Sequence, residues 1–419
     1  MSMSLRELAV EVLTVLRHRG FEALWAGGCV RDQLLGQTPH DYDVATNARP
    51  EQVRQLFRRT LAVGAQFGVI EVLGPDKLHV QVATFRSDGA YSDGRHPDAV
   101  SFGTAQADAQ RRDFTINGLF YDPLTEQVID YVGGQADLRA GIVRAIGDPW
   151  ARFREDHLRL LRAVRFAARL GFTLESGTRA ALEALADQIL TVSPERITDE
   201  LRKMLTVSSR AQAVQLLLHL KLLPHLLAPL RVAVEEGAPL ATLVHLPAAA
   251  PFPLALAALL LDVTAPADRG DWLQPRQGQL HELAHRLRLS NHERDLLVWL
   301  LQQLDGFETS LHWPPSRLKP LLAHPQVPLL FDLSEAVARG QGLAPSAAAH
   351  GRDRLAAWGS DVNPPPLVTG EDLKQLGLTP GPRFKELLAA VRAEQLDQRL
   401  SSREAALTWL KERLGGRAG

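Results

Sequence analysis

The segment LWAGGCVRDQLLGQTPHDYDVAT, residues 24–46, most constrains the fold of this chain. The apolar residues before Gly27 predict a strand that ends in a glycine turn, and VRDQLLG predicts a short helix. DYDVAT predicts a second strand, on which Asp41 and Asp43 point to the same face because side chains alternate along a strand. The segment therefore predicts a strand–turn–helix–strand unit whose second strand begins with two carboxylates.

The two aspartates form the most specific candidate site. Adjacent carboxylates in apolar surroundings repel each other, so the pair is costly unless a cation lies between them. Oxygen ligands of this kind select Mg²⁺ or Mn²⁺, and two such ions support in-line phosphoryl transfer. An isolated Asp-x-Asp pair is more often an exposed turn acid with a solvated neighbour, so the prediction depends on the residues beside it.

Two glycines and an arginine support a phosphate site next to the aspartates. Gly27 and Gly28 open the helix, so the backbone can approach a phosphate and the start of the helix faces it. Arg31 lies one turn into the helix, where its charge neutralises phosphate oxygens. The pattern is neither GxGxxG nor GxxxxGK[ST], which excludes the dinucleotide-binding and P-loop motifs. Together with Asp41 and Asp43, these residues predict a triphosphate bound beside metal ions.

Length, charge and cysteine content restrict the class of protein. A chain of 419 residues exceeds one compact core, and the net charge of −1 gives no overall basic field for nucleic acid. The single cysteine, Cys29, cannot pair within the chain, and no run of 18 apolar residues occurs. These features predict a soluble cytoplasmic protein of several domains without a membrane segment, and they leave the oligomeric state open.

Strand signals and helical signals occupy different parts of the chain. VIEVLG, LHVQVATF, FTINGLFYD and QVIDYVG have the β-branched, apolar character of strands. From Pro149 onward the segments carry a 3.6-residue periodicity instead. We therefore predict an α+β fold, with a mixed head over 1–148 followed by helical regions over 149–208, 209–365 and 366–419.

The segment GGCVRDQLLG…HDYDVAT resembles the signature of class II tRNA nucleotidyltransferases and bacterial poly(A) polymerases, members of the polymerase β-like nucleotidyltransferase superfamily. The resemblance extends over about half the chain, through RRDFTINGLFYDP (111–123), DYVGGQADLRAGIVRAIGDP (130–149), RFREDHLRLLRAVRFAARLGF (152–172) and SPERITDELRKML (193–205). It implies a nucleotidyltransferase head followed by a helical neck, body and tail. The implied activity is template-independent addition of nucleotides to an RNA 3′ end, with CTP and ATP as substrates.

The resemblance also implies roles for individual residues. It places Gly28 and Arg31 on the triphosphate, and Arg112 on the nucleotide. It places Asp41 and Asp43 on Mg²⁺. No covalent intermediate is implied.

The segment RRDFTIN supplies further polar groups. Its two arginines precede Asp113 and Asn117, so positive charge and amide hydrogen bonds lie beside the metal site; an exposed arginine pair before a buried strand is the alternative. Some members of the superfamily have a third carboxylate on the strand LHVQVATF, where this chain has the neutral Gln81. Either Glu71 replaces that ligand, or two carboxylates suffice.

We predict that a helix over 152–169 recognises the nucleotide base. Asp156 and Arg159 are three residues apart and thus on one helix face. A carboxylate and a guanidinium match the amine and ring nitrogen of cytosine and adenine, whereas uracil and guanine present a carbonyl and a ring N–H. By resemblance, this EDxxR motif selects the base while Arg162 and Arg165 contact the nucleotide. An internal ion pair between Asp156 and Arg159 is the alternative.

Three functions remain open from the sequence. The first is addition of CCA, or of its last A, to tRNA; residues 82–100 resemble the flexible loop that accompanies the switch from C to A. The second is poly(A) polymerase, which favours a strongly basic C-terminal extension, whereas the last 50 residues hold nine Lys and Arg against seven Asp and Glu. The third is a noncatalytic RNA-binding protein, which would tolerate loss of Asp41 and Asp43, yet both are present.

Overall fold

The computed structural model describes residues 3–62, 68–88, 100–234, 237–264 and 276–415. The strands in these ranges are β1 (Ala23–Ala26), β2 (Asp43–Thr46), β3 (Thr60–Leu61), β4 (Val69–Leu73), β5 (His79–Thr84), β6 (Arg86–Asp88), β7 (Val100–Phe102), β8 (Leu119–Asp122), β9 (Gln127–Asp130), β10 (Ile142–Val143) and β11 (Thr173–Leu174). The helices before the body are α1 (Leu5–His18), α2 (Gly28–Leu34), α3 (Pro50–Leu56), α4 (Ala105–Gln110), α5 (Gly134–Ala140), α6 (Pro149–Glu155), α7 (Leu158–Leu170), α8 (Ser176–Ala184) and α9 (Pro194–Leu205). The remaining helices are α10 (Arg210–His219), α11 (Leu223–Leu227), α12 (Ala241–His245), α13 (Phe252–Thr264), α14 (Gln277–Arg286), α15 (Asn291–Phe307), α16 (Pro315–Leu322), α17 (Val327–Gly340), α18 (Ser346–Trp358), α19 (Gly370–Gln375), α20 (Pro382–Leu396) and α21 (Arg403–Gly415).

A seven-stranded mixed sheet organises the N-terminal part, in the order β3-β4-β5-β2-β1-β8-β9. Strand β2 pairs antiparallel with β1 and parallel with β5. Strands β6 and β7 form a separate antiparallel pair, and β10 pairs in parallel with β11. The predicted α+β architecture, mixed at first and helical from Pro149, is confirmed; β11 is a short strand that the helical pattern concealed.

The two faces of the sheet pack against different elements. One face contributes Trp25 and Val44 to the main core beneath α1, and the other contributes Ala45 and Phe120 to a smaller cluster beside α4. Because successive residues of a strand point to opposite faces, Asp43 shares the face of Ala45. The candidate site therefore lies on the face that carries the smaller cluster.

The first two helices form where the sequence predicts them. Helix α1 begins with a capping box in which Ser4 and Glu7 each bond the other's backbone N–H. The sequence predicts a helix over roughly Leu5–Arg19, and α1 ends one residue earlier, at His18. Helix α2 starts two residues before the predicted VRDQLLG segment, and Gly36 follows its end with φ of 71°. These two helices cover the strands that carry the glycine turn and the aspartates.

The helical part continues the main core and ends in a separate cluster. Helix α13 is apolar and buried almost throughout, and it packs against α15 and α17. Helices α19 to α21 enclose their own apolar cluster, and α20 packs on α16. No helix within the described ranges is both long and apolar enough to cross a bilayer. The four predicted domain ranges stay a prediction.

Candidate active site

A glycine turn joins β1 to α2 directly beneath an arginine. Gly27 adopts φ of 74° and ψ of −125°, a conformation that residues with a side chain rarely adopt. A Cβ atom at this position would lie 2.8 Å from Nη1 of Arg112. The Gly27 N–H donates to the carbonyl of Leu119 on β8 at 3.1 Å. The turn and the close approach of Arg112 both require a glycine here.

Arg31, which the sequence predicts on a phosphate, is buried with 3% of its surface exposed. Its Nε and Nη2 donate to Oδ1 of Asp32 at 2.8 and 2.6 Å, and its Nη1 donates to Oδ1 of Asn117 at 2.7 Å. These bonds tie α2 to the short 3₁₀ turn over 115–117. Arg31 thus fixes the glycine turn, while its contact with a triphosphate, like that of Gly28, stays a prediction.

Asp41 and Asp43 lie at the start of β2. The strand begins at Asp43, so the prediction of a strand over both residues is wrong: Asp41 precedes it and is exposed, whereas Asp43 is partly buried. The physical reason is the neighbouring strand, because β1 pairs with β2 only as far as Trp25 and Val44 before the chain turns at Gly27. Asp41 therefore lies beyond the last residue pair that joins β1 to β2.

Among the described residues, no side chain is paired directly with either of the two carboxylates. Neither makes a hydrogen bond or an ion pair within the part of the chain that the structure describes. Burial and the neighbouring Asp41 carboxylate raise the pKa of Asp43 to about 6, and the Arg112 guanidinium offsets this rise only in part. Two neighbouring, partnerless carboxylates fit a divalent cation bound by oxygen ligands.

The sheet register tests the third-carboxylate alternative. Glu71 lies opposite Gln81, and Gln81 lies opposite Asp43, so all three share one face. Since neighbouring strands are about 4.8 Å apart, Glu71 is about 10 Å from Asp43 along this row. In the described ranges, no three Asp, Glu, His or Cys side chains are grouped to hold a metal ion. The site therefore has two carboxylates in the described structure.

Arg112, whose charge acts on the Asp43 carboxylate, is held by a residue that sequence reasoning missed. Its Nε and Nη2 donate to Oδ2 of Asp108 at 3.1 and 2.9 Å, and its Nη1 donates to the carbonyl of Asn117 at 3.2 Å. The guanidinium also lies over the ring of Phe120 at 5.1 Å. The spacing of four residues between Asp108 and Arg112 at the end of α4 is the signal that predicts this pair.

Asp113 connects the mixed head to the helical part. Its Oδ1 accepts from the backbone N–H of Phe114 and from Nδ2 of Asn117 at 3.1 Å. Its Oδ2 accepts from Nε of Arg162 at 2.7 Å. Burial alone would raise the pKa of Asp113, but the Arg162 charge and these hydrogen bonds lower it to about 2. Asp113 and Arg162 are therefore an ion pair across the junction, and their predicted contacts with the nucleotide stay predictions.

The predicted continuous helix over 152–169 is wrong, because α6 ends at Glu155 and α7 starts at Leu158. Asp156 between them is extended, with φ of −151° and ψ of 104°. Its Oδ1 accepts from the N–H of Leu158 at 3.0 Å, so the side chain caps the start of α7 instead of continuing α6. An aspartate directly before an apolar helical run is the signal that predicts this break.

The break separates Asp156 from Arg159, so the predicted shared helix face does not form. Asp156 accepts from Nη1 and Nη2 of Arg196 at 3.1 and 2.7 Å. Arg159 donates to Oε2 of Glu155 at 2.5 Å and to the carbonyl of Arg152. The alternative of an internal Asp156–Arg159 ion pair is also wrong, since each residue is paired with another one. Sequence reasoning missed Arg196, which lies in the first turn of α9.

Phe166 on α7 is surrounded by three guanidinium groups. Those of Arg31, Arg162 and Arg165 lie 5.1, 5.4 and 4.3 Å from the ring centre. Nε of Arg165 donates to Oε2 of the buried Glu200 at 2.6 Å. This arrangement packs basic side chains from α2 and α7 around one ring. The predicted nucleotide contact of Arg165 stays a prediction.

The segment DYVGGQADL (130–138) packs against the 3₁₀ turn over 115–117. Asp130 accepts from the backbone N–H groups of Val132, Gly134 and Gln135, which fixes the start of α5. A Cβ on Gly134 would lie 2.2 Å from the carbonyl oxygen of Thr115, so α5 packs directly on the 3₁₀ turn. This packing positions the turn that carries Asn117.

Asp137 links α5 to the same 3₁₀ turn through its side chain. Its Oδ2 accepts from Oγ1 of Thr115 at 2.7 Å and from Nε of Arg144 at 3.0 Å. The link anchors α5 to the turn 115–117 and to the chain beyond β10. Sequence reasoning identified this segment by resemblance alone, since its function depends on contacts between residues that are distant in the chain.

The single cysteine, Cys29, is buried in α2. The Cys29 thiol is buried and donates to the carbonyl of Ala26 at 3.3 Å, and burial raises its pKa to about 12, which disfavours the thiolate form at neutral pH. The predicted loop over 82–100 contains residues 89–99, which lie outside the described residues. The loop therefore stays a prediction.

Two family models match the chain. The model described as "Poly A polymerase head domain" matches residues 23–144, from β1 to the segment just before α6. The model described as "Probable RNA and SrmB- binding site of polymerase A" matches residues 171–232. The first of these matches contains the glycine turn, both aspartates and the RRDFTIN segment.

Curated relatives extend the match. A CCA-adding enzyme of Leuconostoc mesenteroides is 41% identical over 53% of this chain and 55% of its own length. Poly(A) polymerase I of Escherichia coli is 44% identical over 50% of this chain and 48% of its own length. The chain therefore spans about half the length of these two relatives. The CCA-adding enzyme of Enterococcus faecalis is 33% identical over 95% of this chain and 94% of its own length.

Solved structures share the fold over the whole length. The CCA-adding enzyme of Bacillus stearothermophilus in complex with CTP superimposes with a TM-score of 0.73 and 28% identity, covering 99% of both chains. The Thermotoga maritima CCA-adding enzyme complexed with tRNA has a TM-score of 0.66 at 19% identity, which shows the fold. From the full-length relative and the matching head, we conclude that this chain belongs to the class II nucleotidyltransferase family of CCA-adding enzymes and bacterial poly(A) polymerases.

Proposed function

We propose that the chain is a tRNA nucleotidyltransferase that adds CCA, or its terminal A, to tRNA from CTP and ATP. The observation that carries the proposal is the pair of partnerless carboxylates, Asp41 and Asp43, beside Arg112 and the Gly27 turn. The alignment with a CCA-adding enzyme along 95% of the chain supports tRNA as the substrate. We also propose a cytoplasmic location, which the single buried thiol supports.

In the proposed reaction, the RNA 3′-hydroxyl attacks the α-phosphorus of the nucleotide, and the bond to the leaving pyrophosphate breaks. Asp41 and Asp43 are the residues that would hold Mg²⁺ or Mn²⁺. The chemistry supplied by the bound cation is activation of the 3′-hydroxyl and neutralisation of the departing pyrophosphate. Arg112 contributes fixed positive charge next to these carboxylates, because Asp108 and the Asn117 carbonyl restrain it.

We propose the remaining nucleotide contacts on residues that are linked to one another through Asp113, Asn117 and Phe166. The ion pair between Asp113 and Arg162 and the amide of Asn117 lie next to one another. Arg165 lies on the same helix as Arg162 and shares its contact with Phe166. Gly27, Gly28 and Arg31 form the turn on which we propose that the triphosphate lies.

We further propose that Asp156 and Arg159 select cytosine and adenine, although each of the two side chains is held by a different residue. Arg196 holds Asp156 through two hydrogen bonds, and Glu155 holds Arg159 through one. These bonds leave both side chains able to bond a base, because a carboxylate has about four acceptor sites and a guanidinium has five donors. Arg196 would thus be a positioning residue that fixes the direction of the Asp156 carboxylate.

Replacing Arg196 by glutamine is expected to relax base selection. The selectivity for CTP and ATP over UTP and GTP should fall at least about tenfold, equivalent to about 1.4 kcal/mol. The measurement is kcat/KM for each nucleotide with one tRNA primer. Arg202→Gln is the matched control, because Arg202 lies on the same helix and pairs with Glu293 instead. Partial recovery in Arg196→Lys with unchanged selectivity in the control supports positioning, whereas equal losses in both variants contradict it.

Poly(A) polymerase is the second candidate, favoured by the 44% identity to the Escherichia coli enzyme over 50% of this chain. The two functions are distinguished by offering CTP and ATP to a tRNA transcript that lacks its last three nucleotides and to an unrelated RNA. Three additions to the tRNA indicate a complete CCA-adding enzyme. No addition to that tRNA, with one A added to a transcript ending in CC, indicates an A-adding enzyme. Long adenosine ladders on the unrelated RNA would overturn the tRNA proposal.

The domain ranges of head (1–148), neck (149–208), body (209–365) and tail (366–419) form part of the proposal. The change to helices at Pro149 supports the first boundary, and the separate apolar cluster of α19 to α21 supports the last. The head model, which ends at residue 144, agrees with the first boundary.

A further inference from the structure

A basic pocket lies at the junction of the proposed neck and body. It has a volume of about 320 Å³ and is enclosed by the start of α9, by α11 and by the end of α14. Its apolar wall includes Leu190, Val192 and Ile197. Its basic side chains are those of His225, His285, Arg286 and Arg288. A ligand for this pocket must combine negative charge with the ability to contact apolar groups.

One arginine of the pocket is held in place, and the other is exposed. Nη1 of Arg286 donates to the carbonyl of Ala228 at 2.6 Å, which holds the guanidinium in place. Arg288 meets Glu195 only at 3.6 Å, and their side chains are 55% and 63% exposed. An exposed ion pair of this kind contributes little and is readily exchanged for another anion. Arg286 forms no ion pair within the described residues, so its positive charge in the pocket favours an anionic ligand.

The pocket lies beside the residues proposed to select the base. Arg196, which holds Asp156, directly precedes the pocket residue Ile197 on α9. Thr191, between two further pocket residues, bonds His157 through its Oγ1 at 2.9 Å. The start of α9 therefore carries both the residue that holds Asp156 and part of the pocket wall.

We propose that the pocket binds a backbone phosphate of the RNA whose 3′ end is extended. The inference rests on the proposed function and adds the position at which the primer strand is held. Arginine and histidine side chains bind phosphate oxygens without reading base sequence. The family model described as a probable RNA and SrmB- binding site covers six of the ten pocket residues, which supports an RNA ligand.

The test compares Arg288 variants with a matched control. Arg288→Gln and Arg288→Glu remove or reverse the charge at the pocket. Arg339→Gln and Arg339→Glu do the same at an exposed arginine on α17, which pairs with Glu335 and has 53% of its side chain exposed. Kd for a tRNA transcript without its CCA end is measured without nucleotides at several salt concentrations, so the result does not depend on catalysis.

The phosphate contact predicts a uniform loss of RNA affinity. In Arg288→Gln, Kd should rise about fivefold, and the slope of log Kd against log salt should fall by about one unit, because one fewer counterion is released. Arg288→Glu should weaken binding further, and the Arg339 variants should stay within about twofold of the unmodified protein. The loss should be the same for a second tRNA of different acceptor sequence.

Several outcomes would overturn the phosphate site. Unchanged Kd and salt slope in both Arg288 variants contradict it, even where these variants lose binding to a protein such as a helicase. A loss confined to one RNA sequence also contradicts it, since a backbone contact does not read bases. An effect of Arg288 on RNA binding in a protein that adds no nucleotide would sustain the site and refute the proposed function.

Discussion

Asp43→Asn is expected to abolish nucleotide addition and to stabilise the protein when no divalent cation is present. Activity is lost because the neutral amide lacks the negative charge with which the carboxylate holds a divalent cation beside Asp41. Stability rises because the ionised Asp43 is costly in the folded protein, where burial and Asp41 raise its pKa to about 6 from 3.8. This difference corresponds to about 1–3 kcal/mol at pH 8, as each pKa unit is about 1.4 kcal/mol.

The pH dependence of the metal-free protein follows from the same pKa. The folded-state pKa of Asp43 is raised, so its contribution favours folding below pH 3.8, where the group is protonated in both states. That contribution is lost as pH rises through about 6, because the folded protein must then ionise a partly buried carboxyl. The stabilising effect of Asp43→Asn should therefore be large at pH 8 and small at pH 4.

The measurement is thermal unfolding at pH 8 in chelator and in Mg²⁺, together with nucleotide incorporation. Mg²⁺ should raise the unfolding temperature of the unmodified protein but not that of Asp43→Asn. Asp353→Asn, at an exposed position on α18, is the control and should change neither stability nor activity. Turnover in Asp43→Asn, or no stabilisation of the unmodified protein by Mg²⁺, would refute the metal role of this residue.

Gly134→Ala is expected to destabilise the protein strongly, because the added Cβ has the shortest contact among the glycines of the head that the structure describes. The added Cβ would lie 2.2 Å from the Thr115 carbonyl oxygen and 2.9 Å from Cδ2 of Leu119. A backbone atom cannot move aside as a flexible side chain can, so α5 must separate from the 3₁₀ turn. We expect the free energy of unfolding to fall by about 3 kcal/mol or more.

The neighbouring glycine provides a matched control. Gly133 has φ of 78° but no atom within 4 Å of an added Cβ, so Gly133→Ala is strained only by its backbone conformation. That strain costs about 1–2 kcal/mol. Activity should also fall in Gly134→Ala at temperatures below unfolding, because the turn carries Asn117, which bonds Arg31. Equal unfolding free energies for the two variants, from denaturant titration, would contradict the packing account.

Local patterns predicted the elements that depend on neighbouring residues in the chain. The first helix, the glycine turn at Gly27 and the change to helices at Pro149 all belong to this group. Each is determined by backbone conformation or by apolar periodicity within a few residues. The resemblance to the class II family extended these local predictions to the fold and the family, and both are confirmed.

Partners of charged residues could not be predicted in the same way. The i, i+3 argument for Asp156 and Arg159 assumed a continuous helix, whereas the Asp156 side chain caps α7 and ends that continuity. Arg196, forty residues along the chain, then becomes its partner. The position of Arg31 one turn into α2 indicated a phosphate contact, but not that its guanidinium also bonds the neighbouring Asp32. Such pairings depend on how distant segments pack.

The central claim is that this chain extends an RNA 3′ end without a template and chooses the base from its own side chains. The most direct measurement offers all four nucleotides with Mg²⁺ to a tRNA transcript ending in CC, and determines the length and sequence of the product. The account predicts addition of one A, followed by arrest, and none by Asp43→Asn. No extension by the unmodified protein, incorporation of G or U, or a continuing ladder of adenosines would contradict it.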